Sequence, residues 1–337
     1  MIRVAINGCG RIGRIAFREM ITSKDFDIVA INDLSSPEEL AHLIKYDTVH
    51  GKFHVNEISY DNENIVISNV KKIRVFSEKD PSNLPWKELN IDLVLECTGL
   101  FTKYEDSLKH IEAGAKKVLI SAPGKGDMKT IVNGVNTDTL DGTEQIVSAS
   151  SCTTNCLSPL LKVIVDNYTV KKGFMITVHS LTNDQVTLDI AHKKGIMSRR
   201  GRSAFHNIIP TSTGAASSIG KVIPVLNGKM DGISYRVPTV DGSLVDVTLE
   251  LEENVTVEEV NNLFKTNESD FIKTTTSPIV SSDVIGEEVG SLVDLNLTNV
   301  INTESGQLLK LVSWYDNEWG YSSRMVDMAK HIMSGAK

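Results

Sequence analysis

The first thirteen residues constrain the fold more than any other segment. An apolar run, Ile2–Asn7, reads as a short β-strand and leads directly into a Gly-x-Gly-x-x-Gly pattern made by Gly8, Gly10 and Gly13. In this pattern the first glycine permits a tight turn, the second lets backbone approach a pyrophosphate, and the third lets helix and strand pack closely. The helix that follows offers free N–H groups to phosphate oxygens. The segment therefore predicts a dinucleotide site.

A carboxylate in the next strand supports this interpretation. Asp33 follows the β-rich segment Asp27–Asn32 and lies about 20 residues after Gly13, the usual spacing for a carboxylate that binds the adenosine ribose hydroxyls. Such a carboxylate repels a 2′-phosphate. The sequence therefore favours NAD over NADP as the cofactor.

The first 150 residues alternate short apolar segments with amphipathic, helix-like stretches such as 10–21 and 104–113. The apolar segments are Ile2–Asn7, Ile28–Asn32, Leu93–Cys97, Val118–Ser121 and Ile146–Ala149. Alternation of strand and helix predicts a mostly parallel sheet covered on both faces, here a Rossmann-type domain over residues 1–150.

The pattern changes after residue 174, where strands become longer and several alternate apolar with polar residues. The predicted strands are Phe174–Thr182, Gly232–Pro238, Leu244–Glu252, Leu292–Asn299 and Leu308–Tyr315. This predicts an α+β catalytic domain over residues 151–316 with a largely antiparallel sheet. A helix is expected near Thr256–Phe264, with a capping-box spacing to Glu259. The stretch 193–220 reads as a long loop, and a last helix, Tyr321–Met333, within 317–337, is expected to complete the first domain.

Length and composition exclude several classes of protein. The chain has 337 residues, 41% of them hydrophobic, which suggests two domains and argues against a disordered or collagen-like chain. Its formal charge of −8 argues against general nucleic-acid binding or attachment to an anionic membrane. No stretch has the roughly 20 apolar residues of a membrane span. The N-terminus resembles a strand rather than a signal peptide, so export is not expected.

The four cysteines are Cys9, Cys97, Cys152 and Cys156. They are too few for a disulfide framework in a chain of this length, and no second close pair of Cys or His accompanies Cys152 and Cys156 at zinc-ligand spacing. Free thiols in a reducing cytoplasm, and no metal site, are the expectation.

Cys152 lies at the start of a predicted helix, where Ser150 or Ser151 could be the N-cap. There the helix dipole stabilises a thiolate and lowers the thiol pKa. A small buried core residue is the structural alternative, and it is the expectation for Cys156. His179 ends the first strand of the second half, so a catalytic Cys–His pair explains both residues together.

Five segments carry a resemblance to a known family. They are Asn7-Gly8-Cys9-Gly10-Arg11-Ile12-Gly13-Arg14, Ser150-Ser151-Cys152-Thr153-Thr154-Asn155, His179-Ser180-Leu181-Thr182, Pro210-Thr211-Ser212-Thr213-Gly214-Ala215 and Trp314-Tyr315-Asp316-Asn317-Glu318-Trp319-Gly320-Tyr321. By these segments, which run from end to end, the chain resembles the phosphorylating, NAD-dependent glyceraldehyde-3-phosphate dehydrogenases of glycolysis.

The resemblance implies that Cys152 attacks the aldehyde carbon of D-glyceraldehyde 3-phosphate and forms a thiohemiacetal, then a thioester that inorganic phosphate converts to 1,3-bisphosphoglycerate. His179 would hold the thiolate as an ion pair and act as the base. The resemblance also implies a homotetramer in which the loop 180–205 meets a neighbouring subunit.

The same resemblance implies the binding residues. Those for the substrate phosphate would be Thr182 and Arg236, and those for the attacking phosphate would be Ser151, Thr153, Arg200, Thr213 and Gly214. Those for NAD, beside the three glycines and Asp33, would be Arg11, Ile12, Lys79, Ser121 and Asn317.

Two departures from the family pattern concern the cofactor. Lys79 stands where bacterial relatives often have Arg, and Ile190-Ala191 stands where strict NAD enzymes usually have Leu-Pro, so strict exclusion of NADP is left open.

Three alternative functions also remain at this point. They are an erythrose-4-phosphate dehydrogenase of the same superfamily, a Cys–His hydrolase or amidotransferase, and a nucleotide-binding scaffold with an inactive site.

Overall fold

The computed structural model describes residues 1–304 and 306–335. The chain forms two compact units, one of Met1–Ser151 with Ser322–Lys337 and the other of Cys152–Tyr321. Residues 317–321, which the sequence assigns to the first domain, thus lie in the second unit. No helix among the described residues has the length and apolar character that crossing a membrane requires.

The α-helices of the described residues are α1 (Arg11–Thr22), α2 (Pro37–Lys45), α3 (Tyr104–Glu112), α4 (Cys152–Val165), α5 (Ala215–Val222), α6 (Val257–Thr266) and α7 (Trp319–Ser334). Short 3₁₀ turns occupy Pro81–Asn83, Thr137–Thr139, Ile196–Ser198, Pro224–Leu226 and Ser281–Val284.

The strands of the first unit are β1 (Ile2–Asn7), β2 (Phe26–Asn32), β3 (Tyr46–Asp47), β4 (Gly51–Lys52), β5 (Ile58–Tyr60), β6 (Asn64–Ile67), β7 (Lys71–Phe76), β8 (Leu93–Glu96), β9 (Lys117–Ile120), β10 (Lys129–Thr130) and β11 (Ile146–Ser148). Apart from the β3–β4 pair they form one sheet in the order β10-β11-β9-β8-β1-β2-β7-β6-β5. Pairing is parallel from β10 to β7 and antiparallel at β6 and β5.

The parallel core explains why its strands could be predicted. All four residues of β8 and the last four of β1 are buried, because the strands of a doubly covered sheet have no wet face. The predicted Rossmann-type parallel sheet is confirmed. The antiparallel edge made by β5 and β6, and the helix α2, were not predicted.

The strands of the second unit are β12 (Val170–His179), β13 (Ile209–Ser212), β14 (Met230–Arg236), β15 (Ser243–Leu251), β16 (Ile272–Thr275), β17 (Ser291–Asp294), β18 (Asn299–Thr303) and β19 (Gly306–Tyr315). They pair in the order β13-β14-β12-β15-β19-β17-β16, with β18 also on β19. The β12–β14 and β16–β17 pairs are parallel and the rest are antiparallel, so the largely antiparallel sheet is confirmed.

Two predictions for this unit are wrong. The strand expected over Leu292–Asn299 ends at Asp294, whose carboxylate accepts a hydrogen bond from the Asn296 backbone N–H at 3.1 Å and turns the chain. The stretch 193–220 is not one long loop, since it contains β13 and most of α5. By contrast, the capping box at Thr256 and Glu259 is present at the start of α6.

Candidate active site

The glycine turn after β1 has the geometry that its residue types suggest. Gly8 has φ +88°, which L side chains rarely adopt. A Cβ on Gly13 would lie 2.1 Å from the carbonyl oxygen of Gly8, so only glycine allows α1 to approach the turn this closely. A Cβ on Gly10 would meet no atom within 4 Å, and open space therefore faces the helix N-terminus.

This open space belongs to a cavity of about 530 Å³ at the carboxyl ends of the parallel strands. Its lining residues are Asn7, Gly8, Gly10, Asn32, Asp33, Leu34, Glu78, Lys79, Cys97, Thr98, Leu100 and Phe101. A crevice at this edge of a parallel sheet, beside a glycine turn and a helix N-terminus, is where such folds bind dinucleotides. The cavity thus fits the adenosine and phosphate part of NAD.

Asp33 is oriented within that cavity by backbone donors. Its Oδ2 accepts a hydrogen bond from the Cys9 N–H at 2.7 Å, and its Oδ1 accepts one from the Ser35 N–H at 2.9 Å. Lys79 lines the same cavity with an exposed side chain. The predicted residues Ile12, Gly13 and Ser121 are not among the cavity's lining residues.

Arg11, the first residue of α1, is held by an ion pair with Asp47. Burial acts to raise the pKa of Asp47, but the hydrogen bond from Arg11 and two backbone donors outweigh it and hold that pKa well below its usual range. The guanidinium of Arg11 is therefore engaged within the protein. The part of Arg11 suited to a pyrophosphate is its backbone at the helix N-terminus.

In the second unit, Cys152 and His179 lie together. Cys152 is the first residue of α4 and His179 is the last residue of β12, and the Sγ atom lies 3.4 Å from Nε2 of the ring. His179 is 2% exposed, whereas Cys152 is partly accessible. A thiol at a helix N-terminus in contact with an imidazole is the arrangement of an activated nucleophile and its base.

The other ring nitrogen of His179 has two polar neighbours with opposite requirements. Nδ1 lies 2.8 Å from the carbonyl oxygen of Ser180, which needs a proton on Nδ1. It also lies 2.9 Å from Nη1 of Arg236, which can only donate and needs a lone pair there. The position of Arg236 therefore bears directly on which nitrogen of His179 carries the proton.

Burial opposes the ion pair that the family resemblance implies. It raises the pKa of the Cys152 thiol, and the Arg236 charge offsets only part of this effect. Burial, followed by the charge of Arg236, lowers the pKa of His179 to about 3. These effects favour a neutral thiol beside a neutral imidazole.

Tyr315, which sequence reasoning did not assign to the site, packs against this pair. Its ring lies edge-on to His179 with centroids 6.0 Å apart. Its hydroxyl lies 3.0 Å from the Oγ1 atoms of both Thr153 and Thr177. The hydroxyl of Thr153, predicted to bind the attacking phosphate, is thus hydrogen bonded inside the protein.

A cluster of anion-binding groups surrounds Asp184. Arg200, only 9% exposed, pairs with the Asp184 carboxylate, and the Thr182 hydroxyl donates to the same carboxylate at 2.5 Å. Arg236 Nη1 donates to Thr182 Oγ1 at 3.2 Å. Burial acts to raise the pKa of Asp184, but Thr182 and the basic residues hold it below its usual range. This carboxylate, which the sequence analysis does not identify, holds Arg200 and Thr182 in one cluster.

The remaining predicted residues have these positions. Thr213 accepts a hydrogen bond from the Ala215 N–H at 3.2 Å, and Gly214 is the N-cap of α5, with open space beside it. Asn317 is buried, and its Oδ1 accepts a hydrogen bond from the Ser243 hydroxyl at 2.5 Å. Ser151 is the last residue of the first unit before α4.

Comparison with known proteins agrees with these features. Residues 2–104 match the family model described as glyceraldehyde 3-phosphate dehydrogenase, NAD binding domain. Residues 151–317 match the model described as glyceraldehyde 3-phosphate dehydrogenase, C-terminal domain.

Similar proteins include glyceraldehyde-3-phosphate dehydrogenases from three bacteria. The one from Clostridium pasteurianum is 50% identical over the full length of both chains. The one from Geobacillus stearothermophilus is 49% identical over 99% of this chain and 98% of its own, and the one from Mycoplasma pneumoniae is 49% identical over 98% and 97%. The chain therefore belongs to the glyceraldehyde 3-phosphate dehydrogenase family and is an NAD-dependent oxidoreductase.

Proposed function

We propose that the chain oxidises D-glyceraldehyde 3-phosphate with NAD and inorganic phosphate to 1,3-bisphosphoglycerate and NADH. The observation that carries this proposal is the 3.4 Å contact between Cys152 Sγ and His179 Nε2, at a helix N-terminus beside the buried Arg200 and the half-buried Arg236. A thiol is needed here because the acyl intermediate must keep enough free energy to form an acyl phosphate. The two cationic side chains are suited to substrates that carry phosphate.

In the first half-reaction Cys152 acts as the nucleophile. Its sulfur forms a bond to the aldehyde carbon while the thiol proton passes to His179, whose Nε2 atom lies against the sulfur. His179 then gives this proton to the former aldehyde oxygen, which becomes the hemiacetal hydroxyl, and it accepts the proton of that hydroxyl when the hemiacetal becomes a thioester. NAD, when bound, supplies the acceptor for the hydride that leaves the same carbon.

In the second half-reaction an oxygen of inorganic phosphate attacks the thioester carbon. The C–S bond breaks, the electron pair returns to Cys152 sulfur, and the acyl phosphate leaves. The Cys152 backbone N–H at the start of α4 is suited to stabilise the oxyanion that forms in both half-reactions.

Two phosphate groups are assigned to two sets of residues. Thr182 and Arg236 would hold the phosphate of the substrate, since their side chains contact one another and Arg236 also contacts His179. The attacking phosphate would be bound by Ser151, Thr153, Arg200, Thr213 and Gly214. Arg200 pairs with Asp184, and this ion pair orients its guanidinium.

NAD would be bound by the glycine turn, Arg11, Ile12, Asp33, Lys79 and Ser121, with its nicotinamide carboxamide on Asn317. The Ser243 hydroxyl donates to the Asn317 oxygen, so the amide nitrogen is the atom that would donate to the carbonyl oxygen of the carboxamide. The negative charge of Asp33 supports a preference for NAD, while Ile190-Ala191 leaves use of NADP to be measured.

We further propose a homotetramer in the cytoplasm. Leu188, Ile190, Ile196 and Met197 are between 63% and 91% exposed, and this part of the chain borders a cavity of about 940 Å³. Apolar exposure on this scale is typical of a surface that another subunit covers. All four cysteines lie among the described residues and are free thiols, which suits a reducing compartment.

The test is formation of NADH at 340 nm with D-glyceraldehyde 3-phosphate, with and without phosphate, and with NAD or NADP. We expect turnover that depends on phosphate and is faster with NAD. Turnover that prefers erythrose 4-phosphate and proceeds equally without phosphate would instead identify the alternative dehydrogenase of the superfamily. Hydrolysis of esters without NAD would indicate the Cys–His hydrolase.

The nucleophile assignment has its own test. Cys152→Ser should abolish turnover while calorimetry shows NAD binding largely unchanged, because serine is close in size to cysteine and Cys152 is not among the residues that line the cavity that fits NAD. Retained turnover in this variant would refute the assignment. Cys156→Ser is the matched control, since Cys156 is fully buried one turn further along α4.

A further inference from the structure

A row of polar side chains crosses the first unit's sheet where its neighbours are apolar. Glu96, Asn7 and Asn32 end the adjacent strands β8, β1 and β2, and they lie directly opposite one another in the parallel register. Each is at most 5% exposed. Burying a polar group costs folding free energy unless the group is hydrogen bonded. A buried row of them therefore indicates a functional role.

Two further buried side chains extend the row from the side of β8. The indole N–H of Trp86 lies 3.0 Å from Nδ1 of His110, and because an indole can only donate, Nδ1 accepts. The ring proton of His110 is therefore on Nε2, which lies 3.2 Å from Glu96 Oε2 and donates to it. Trp86 thus fixes the tautomer of His110.

Glu96 is the centre of the row. Its Oε2 accepts from His110 and also from Asn7 Nδ2 at 2.5 Å. Its Oε1 accepts from the Thr98 backbone N–H at 2.8 Å and from the Thr98 hydroxyl. That Thr98 nitrogen lies 2.7 Å from where a Cβ on Gly8 would be, so Glu96 holds the residues on both sides of the glycine turn.

Hydrogen bonds of Asn7 and Asn32 extend the row to the other side of the cavity. The Asn7 oxygen accepts from Asn32 Nδ2 at 2.7 Å. The Asn32 amide then bonds the Glu78 backbone in both directions, donating to its oxygen at 2.9 Å and accepting from its N–H at 2.8 Å. The next residues along the chain are Asp33 and Lys79, which line the cavity.

We call these five residues the polar row: Trp86, His110, Glu96, Asn7 and Asn32. We propose that the polar row is a positioning network that sets NAD affinity by holding the glycine turn and the two adenosine-side segments in one fixed arrangement. This inference rests on the proposed NAD-binding role of the cavity and adds residues that no part of that role names. Trp86, His110 and Glu96 would act on the cofactor only through other residues.

The central test is Glu96→Gln, which keeps the size of the side chain but replaces one of its two acceptor oxygens with an NH₂ group. This NH₂ group would face groups that are themselves hydrogen-bond donors. Calorimetry on the purified full-length protein should show the Kd for NAD rising about tenfold or more. The KM for NAD should rise in parallel, while kcat at saturating NAD and the alkylation rate of Cys152 should stay within about twofold. A structural role alone would not separate KM from kcat in this way.

A pair of substitutions at His110 makes the test independent of Glu96. His110→Gln keeps a donor near the position of Nε2 and should retain most of the NAD affinity, whereas His110→Leu has no donor and should lose it. If Glu96→Gln does not fold, this pair decides the question. Equal NAD affinity in wild type, His110→Leu and His110→Gln would overturn the proposal.

The matched control is Asn136→Ala, which removes two buried hydrogen bonds of the same unit away from the cavity. It should lower the Tm with no change in the Kd for NAD. A loss of NAD affinity equal to that of Glu96→Gln would show that general destabilisation explains the effect and would contradict the positioning role. Failure of the wild type to bind NAD would instead reject the proposed function itself.

Discussion

The Nη1 atom of Arg236 lies 2.9 Å from the Nδ1 atom of His179. Burial raises the pKa of the Cys152 thiol and lowers that of the His179 imidazole, and the positive charge of Arg236 opposes the first of these shifts and adds to the second. Arg236 therefore favours the thiolate while it disfavours the imidazolium that would accompany it. An anion that binds Arg236 would relieve the second effect and let His179 accept a proton more readily.

The first prediction concerns that charge. Arg236→Gln should raise the thiol pKa of Cys152, because one of the effects that favours the thiolate is removed. The pH midpoint of iodoacetamide alkylation should move upward, and Arg236→Lys, which retains a positive charge, should move it less. An unchanged midpoint in Arg236→Gln would mean that the charge does not reach the thiol.

The second prediction follows from the pKa of about 3 at His179, against about 6.5 in an unfolded chain. Between these two values the unfolded state binds one more proton at this residue, so the native state loses stability as pH falls through that window. From pH 7 to pH 5, wild type should lose about 2 kcal/mol more unfolding free energy than His179→Asn. Urea titrations at the two pH values measure this difference. His42→Asn, on an exposed position of α2, is the control and should behave as wild type.

The third prediction separates two glycines of the same turn. Gly13→Ala should destabilise the protein by about 1–3 kcal/mol or more, because the new methyl would overlap the Gly8 carbonyl oxygen. Gly10→Ala should keep stability within about 1 kcal/mol, since nothing lies within 4 Å of its Cβ position, yet it should weaken NAD binding by filling that space. Thermal unfolding and calorimetry with NAD distinguish the two. Equal stabilities would contradict the close approach of α1 to the turn.

The fourth prediction concerns the choice of cofactor. Asp33→Gly should reduce the ratio of kcat/KM for NAD to that for NADP, because a carboxylate that repels a 2′-phosphate is removed. Asp33→Asn is the companion variant, since it loses the charge but keeps an acceptor for the Cys9 N–H. Equal kcat/KM for both cofactors in the unmutated protein would show that Asp33 does not discriminate between them.

The elements that could be predicted are those whose sequence signal is local. The buried strands of the parallel sheet are continuous apolar runs. The start of α6 is marked by the capping box of Thr256 and Glu259, which lie three residues apart. A capping box at Ser36 and Glu39 marks the start of α2 in the same way, so this helix also has a local signal in the sequence. The break after Asp294 was missed because its cause is a side-chain hydrogen bond to the backbone, while the hydrophobic pattern continues.

For the candidate site, the sequence indicated the residue types but not their contacts. Cys152 and His179 come from different elements, so their 3.4 Å separation depends on how α4 packs on the sheet. Asp184 could not be anticipated, since a carboxylate between cations follows no spacing rule. Tyr315 lay within a quoted motif, yet only the structure shows its hydroxyl between Thr153 and Thr177.

The different environments of the four thiols have a practical consequence for any preparation of this protein. Burial raises the pKa of Cys9 and Cys156 to about 12 and that of Cys97 further, so these three are almost entirely protonated at neutral pH. Burial also raises the pKa of Cys152, but the charge of Arg236 acts to lower it, and the sulfur is partly accessible and lies 3.4 Å from Nε2 of His179. Because alkylation proceeds through the thiolate, a brief exposure to reagent labels one position. The number of adducts per chain, read by mass spectrometry, therefore counts the fraction of molecules whose active site is intact.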